Sequence, residues 1–170
     1  MDEAFIKKVQ PNSPEAEQSV IGAMIMDRDA IADVIDIVSA DDFYQKQNGI
    51  LFEAMTELYR EGKPVDLVTL QNKLKKKDVP ESMKSLEFIR DLLEAVPTSA
   101  NAKQYAKIVS EKATLRKLIK VTEDITTECY LGKDDVTEIL DHTEKNVFGL
   151  LQQASGREDF VPIDKVVLNT

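Results

Sequence analysis

Tryptophan is absent from this chain, cysteine and histidine occur once each, and glycine and proline number six apiece in 170 residues. Each shortage excludes something. A single cysteine, Cys129, cannot close an intrachain disulfide and fits a reducing compartment, where it serves as a small apolar filler. A single histidine, His142, leaves no His/Cys set with metal-ligand spacing. Its neighbours Asp141 and Glu144 have no nucleophile to activate, so it reads as a solvated helix residue. The glycines form neither G-x-x-x-x-G-K-[ST] nor G-x-G-x-x-G, and the one Gly-Lys pair, Gly62-Lys63, runs into Pro64. No catalytic, cofactor-binding or metal-binding residue is therefore assigned. No apolar run approaches the ~20 residues that span a bilayer, and the opening MDEAFIKKVQP has neither a signal-peptide core nor an Arg-rich transit pattern. The expectation is a soluble cytoplasmic protein with no membrane partner.

Positive charge is also short: 22 Lys and Arg stand against 31 Asp and Glu, a net charge of −9. Nonspecific nucleic-acid binding needs clustered cations facing phosphates, so any role on DNA is expected to be indirect. The run Lys73, Lys75, Lys76 and Lys77 lies at a helix C-terminus, where the macrodipole favours cations, and no aromatic or Arg interleaving marks a stacking platform.

What the chain does contain is helical periodicity. With 42% hydrophobic and 6% aromatic residues, its core must be aliphatic. Ser13 caps a first helix with Pro14 at its first position, and a second helix follows Asp29 through Val38. A third carries Ile50, Leu51, Ala54, Met55 and Leu58 and ends at Gly62-Lys63-Pro64. Asp66 caps a fourth, and SLEFIRDLLEAV makes a fifth. Nothing alternates with period two for long enough to need a sheet. The predicted fold class is all-α: a compact helical domain of about five helices over 1–97, then a long antiparallel helical hairpin over 98–154, then the start of a linker helix over 155–170.

The hairpin is the most informative part. Pro97, Thr98 and Ser99 mark its start, Gly132 is placed as the αL stop of its first helix, and Asp135 with Glu138 has the form of a capping box for its second. Leu115, Leu118, Thr122, Ile125 and Cys129 repeat at steps of three and four on the first helix. Val136, Leu140, Thr143, Val147, Leu150 and Ala154 do so on the second. These are more apolar positions than one core could use, so the predicted dimer-interface residues are Leu115, Leu118, Ile125, Cys129, Val136, Leu140 and Val147. Charge is polarised along the rod: Lys103 to Lys120 holds six cations and Glu111 alone, whereas Val121 to Glu144 holds eight anions and Lys133 alone. After Ser155 the composition turns to that of a linker, and IDKVVLNT opens a helix with no capping signal at its end, which predicts that a further domain followed.

Four blocks occur in order: PNSPEAEQSVIGAM (Pro11 to Met24), DDFYQKQNGILFEAM (Asp41 to Met55), GKPVDLVTL (Gly62 to Leu70) and AVPTSANAKQYAKIVSEKATLRKLI (Ala95 to Ile119). Together they resemble the N-terminal domain of the bacterial replicative DNA helicase, the DnaB-type hexameric family, and the likeness runs the length of the chain. Asn48 departs from the pattern, since the family often has histidine there. The resemblance implies a non-catalytic oligomerisation and docking domain. In that family it dimerises through the hairpin, three dimers form a collar on the hexamer, and the collar binds the C-terminal helicase-binding domain of primase. A helicase loader is a further implied partner, and DNA is met only through the parent ring. ATP and Mg belong to a RecA-like motor domain absent from this chain. The resemblance also points to Glu15, Phe88, Ile119 and Ile125 as primase-facing positions. On residue chemistry alone, Phe88 reads equally as an exposed anchor and as core. Two other readings stay open beside it, a free-standing helical adaptor with no motor attached and direct single-strand binding.

Overall fold

Local capping chemistry marks three of the helix starts. In the computed structural model, which describes residues 9–94 and 100–156, Ser13 Oγ accepts from the Ala16 N–H at 3.3 Å and opens α1, Pro14–Met26. Asp27 Oδ1 accepts from the Asp29 N–H at 2.9 Å and caps α2, Arg28–Ile35. That helix stops earlier than its periodicity predicts: the N–H groups of Ile37 and Val38 both close back on the Val34 carbonyl, and Val38 is buried from the turn. A 3₁₀ turn over Ala40–Asp42 leads to α3, Lys46–Arg60. Asp66 opens α4, Leu67–Lys75, by accepting from the N–H groups of Val68 and Thr69 at 2.9 Å each, while Thr69 Oγ1 accepts from the Asp66 N–H at 3.0 Å. A second 3₁₀ turn, Glu81–Lys84, precedes α5, Leu86–Glu94. Two long helices follow, α6, Ala102–Leu131, and α7, Val136–Ser155. The described residues contain no strand, so the chain is all-α.

Contacts divide the chain into two compact units with the boundary between Ala113 and Thr114, inside α6. In the first unit, Ile21, Met24, Ile31, Leu51, Met55, Leu70, Leu74 and Ile89 are fully buried, and Ala102, Ala106 and Val109 join the same cluster from the opening turns of α6. The core is aliphatic as the composition requires, apart from Phe43 and Phe52, whose rings sit 5.2 Å apart. Gly49 is required by packing. A Cβ there would lie 2.6 Å from the Ala40 carbonyl oxygen, so α3 presses directly on the preceding 3₁₀ turn.

Lys73 in the last turn of α4 and Lys77 just past its end are held by more than the helix dipole. Lys73 bonds Glu57 and Glu61 at 2.9 and 2.7 Å, and Lys77 bonds Glu53 and Glu57 at 2.9 and 2.7 Å, forming a ladder between α3 and α4. The N-terminal marks of α6, Pro97, Thr98 and Ser99, lie outside the described residues, as does the linker from residue 157 onward. Gly132 has φ of +56° and ends α6 as predicted. Asp135 is the N-cap of α7, but its side chain makes no cap hydrogen bond, so the expected capping box is not formed.

Candidate functional site

The second unit is the hairpin formed by the rest of α6 and by α7, and it has too little interior to hide its apolar residues. On α6, Thr114, Lys117, Val121, Ile125 and Glu128 are half-buried at steps of three and four; on α7, Ile139, Thr143, Val147, Leu150 and Ala154 are shielded with the same spacing. These rows are the inner faces of the two helices. Near the turn the facing groups are polar: His142 Nδ1 lies 4.0 Å from Glu128 Oε2, a buried carboxylate oxygen with no hydrogen-bond donor among the described residues.

The residues predicted for self-association divide between inside and outside. Leu115 and Leu118 on α6 are 44% and 38% exposed, and Cys129 is exposed with its thiol free. Cys129, expected as a small apolar filler on the seam, is on the exposed row that it shares with Leu118 and not on the inner row. Val136 and Leu140 on α7 are exposed, whereas Ile125 and Val147 are half-buried in the inner rows. Two exposed apolar residues that the sequence reading did not single out, Phe148 and Leu151, stand on the same helix. Their signal was present in the doublets Val147-Phe148 and Leu150-Leu151. An apolar doublet on a helix serves two faces about 100° apart, and a single 3–4 seam accounts for only one.

The four positions drawn from family resemblance are not brought together as one cluster within either unit. In the first unit, Glu15 is exposed in the opening turn of α1, and Phe88 is half-buried against the core, between the two readings its chemistry allowed. Ile119 and Ile125 are half-buried on α6 in the second unit. Among the described residues no group of three or more His, Cys, Asp or Glu could hold a metal ion, and no helix is long and apolar enough to cross a membrane.

Electrostatics on the hairpin is local. Asp141 sits below the usual carboxylate range because Lys145 Nζ donates to it at 2.8 Å, and Lys120 is raised by its bond to Asp124 at 2.7 Å. Both pairs are exposed i,i+4 contacts of small energetic weight.

Comparison with known proteins agrees with this architecture. Residues 9–111 match the family model described as the DnaB-like helicase N terminal domain. The replicative DNA helicase DnaB of Geobacillus stearothermophilus is 35% identical over 153 residues, which cover 90% of this chain and 34% of that protein. This chain therefore spans about a third of the length of the curated relatives it matches. The crystal structure of the N-terminal domain of DnaB helicase from Mycobacterium tuberculosis superposes with a TM-score of 0.78 at 34% identity, covering 83% of this chain and 99% of the other. The N-terminal domain of DnaB helicase from Helicobacter pylori, described together with its interactions with primase, shares the fold at a TM-score of 0.60 and 23% identity, covering 76% of this chain and 99% of the other. With the family match covering well over half its length and a homologous domain overlaid almost from end to end, this chain belongs to the DnaB-like helicase N-terminal domain family.

Proposed function

We propose that this chain is the non-catalytic N-terminal oligomerisation and primase-docking domain of a replicative DNA helicase that unwinds the duplex at the replication fork. ATP hydrolysis, with its Mg, is the work of a motor domain outside this chain, and DNA is engaged through the assembled ring. The observation that carries the reading is the exposure of Leu115 and Leu118 at 44% and 38%, three residues apart on one long helix. Scattered single leucines need no explanation, but a row of them on one helix marks an interaction surface. Self-association through the hairpin covers that row, and three such dimers give the collar of a hexamer. The partner bound by that collar is the C-terminal helicase-binding domain of primase, a reading supported by the Helicobacter pylori relative described with primase. Glu15, Phe88, Ile119 and Ile125 are assigned to that contact, and a helicase loader is a second partner for the same collar.

Sedimentation of the full chain, alone and with a primase C-terminal fragment, tests the proposal. A concentration-dependent dimer is expected, shifted toward monomer by Leu118→Asp at an exposed position of the row, with a heavier species when primase is added. Absence of any heavier species with primase across micromolar concentrations would remove the docking role. An unassociated chain would remove the oligomerisation role.

A further inference from the structure

In the first unit, a solvent-open cleft of about 430 Å³ lies between the C-terminal end of α3 and one face of α4. Its lining is mostly apolar, with Leu58, itself buried, and Pro64 joined by the carbon stems of lysines. Lys63, Lys73 and Lys76 bring cations to it, and Glu61 is the one anion in the lining. These charges are not equally available. Lys73 is shared between Glu57 and Glu61 at 2.9 and 2.7 Å, and Lys63 bonds Glu61 as well, so these two cations and two carboxylates cancel. Lys76 is left over. It caps the C-terminus of α4, is exposed, and makes no ion pair among the described residues. Asn72 lies four positions earlier on the same helix face, also exposed, and its side-chain amide has no hydrogen-bond partner among the described residues.

We propose that this cleft docks a short acidic segment of a partner protein, which lays one aliphatic side chain on Leu58 and Pro64 and sets a carboxylate against Lys76. Nothing in it depends on self-association of the hairpin or on primase. Charge selects the sign of the occupant. On a chain of net −9 an acidic segment is repelled from most of the surface, and the surplus cation of the cleft gives it a place to settle. The Asn72 amide selects a polypeptide, since its N–H₂ and C=O match the acceptor and the donor of a peptide group. The volume is at the small end of ligand pockets, which admits one side chain and its flanking backbone rather than a large rigid ligand. A nucleic-acid strand has little to hold it: Glu53, Glu57 and Glu61 stand along the adjoining ladder, and no aromatic ring lines the cleft to stack a base.

The test is a titration of the full isotope-labelled chain with the peptide DDLDD, blocked at both ends and followed by backbone amide shifts. Saturable shifts concentrated within residues 58–76 are expected, with a dissociation constant of about 1 mM or below. The control peptides DDSDD and KKLKK should give none. Lys76→Glu should weaken DDLDD by about fivefold or more, whereas Lys75→Glu, the same charge change one residue away and outside the lining, should alter it by about twofold at most. Both lysines are exposed and neither has an ion pair among the described residues to lose, so both variants should unfold at the parent's temperature. Equal weakening by the two variants would reduce the effect to net charge and overturn the site. Binding of DDSDD as tight as that of DDLDD would overturn the apolar contact. No saturable shift with DDLDD up to about 10 mM overturns the docking site outright. Self-association altered by Lys76→Glu and not by Lys75→Glu would give the cleft to a second copy, and tighter binding of a short oligothymidylate at the same residues would give it to nucleic acid; either result overturns the peptide reading.

Discussion

Glu17 Oε2 accepts a hydrogen bond from Asn48 Nδ2 at 3.0 Å, and both side chains are 2% exposed. The same carboxylate accepts from the N–H groups of Tyr44 at 2.6 Å and Gln45 at 3.1 Å, so α1 supplies the acceptor for the start of α3, a helix with no side-chain cap of its own. A buried carboxylate is tolerated because every donor it meets is fixed. Glu17→Ala should strand three donors and cost about 3 kcal/mol in denaturant unfolding. Glu17→Gln keeps part of the network and should cost less. Equal stability of the alanine variant and the parent would show that the network does not hold α3.

Asn48 Oδ1, the other end of that amide, is buried and has no donor among the described residues. A residue that keeps the N–H toward Glu17 without carrying an orphan acceptor should be neutral or better. Asn48→Asp should do the reverse by placing two carboxylates face to face, a loss of about 2 kcal/mol or more. Urea unfolding at neutral pH decides it, and an unaffected aspartate variant would mean the site opens to water.

The ladder of Glu53, Lys77, Glu57, Lys73, Glu61 and Lys63 predicts a pH signature. Hydrogen bonds from Lys63 and Lys73 hold Glu61 at about 2 against an ordinary 4.5, and those from Lys77 and Lys73 lower Glu57. A carboxyl depressed on folding contributes stability that is complete above its unfolded value and lost as pH falls toward its folded one. Stability should therefore decline from about pH 4.5 toward about pH 2, and Glu57→Gln should flatten that decline. Because the groups are exposed, added salt should flatten it too. A slope indifferent to Glu57→Gln would assign acid sensitivity elsewhere.

What could be read in advance was what is settled within a few residues. Ser13 with Pro14, Asp66 with Thr69, and Gly132 act on their own backbone neighbourhood, and each does what its type predicts. Glu17 could not be read that way, because its donor Asn48 lies 31 positions away and only the packing of α1 on α3 joins them. Lys73 and Lys77 had a sufficient local reason in the helix dipole, which concealed their bonds to Glu53, Glu57 and Glu61 on another helix. On the hairpin the period was legible but the phase was not. A 3–4 repeat identifies a stripe without saying whether a sister helix or solvent meets it, and Phe148 was overlooked for that reason.

Glu128 gives a prediction of opposite sign. It stands in the inner row of α6 with a carboxylate oxygen buried and unpartnered, 4.0 Å from His142. That distance is too long for a hydrogen bond. Glu128→Met keeps helix propensity and side-chain length while removing the unpaired oxygen, and should stabilise the chain by about 1 kcal/mol. A destabilised methionine variant would show that His142 is a real partner, and His142→Ala should then lose a similar amount.

The same substitution at two glycines separates two physical causes. Gly132 sits at φ of +56° with no atom within 4 Å of an added Cβ, so Gly132→Ala meets only backbone strain of about 1–2 kcal/mol. Gly132→Asn, which tolerates the left-handed region, should recover part of that loss. Gly49 has ordinary helical backbone, but its added Cβ would lie 2.6 Å from the Ala40 carbonyl oxygen, so Gly49→Ala must push α3 off the 3₁₀ turn at about 1–3 kcal/mol. Asparagine cannot help there, because the obstacle is volume rather than φ. Thermal unfolding of the four variants should therefore show rescue at position 132 and further loss at 49. Rescue at both positions would refute the packing assigned to Gly49, and rescue at neither would refute the strain assigned to Gly132.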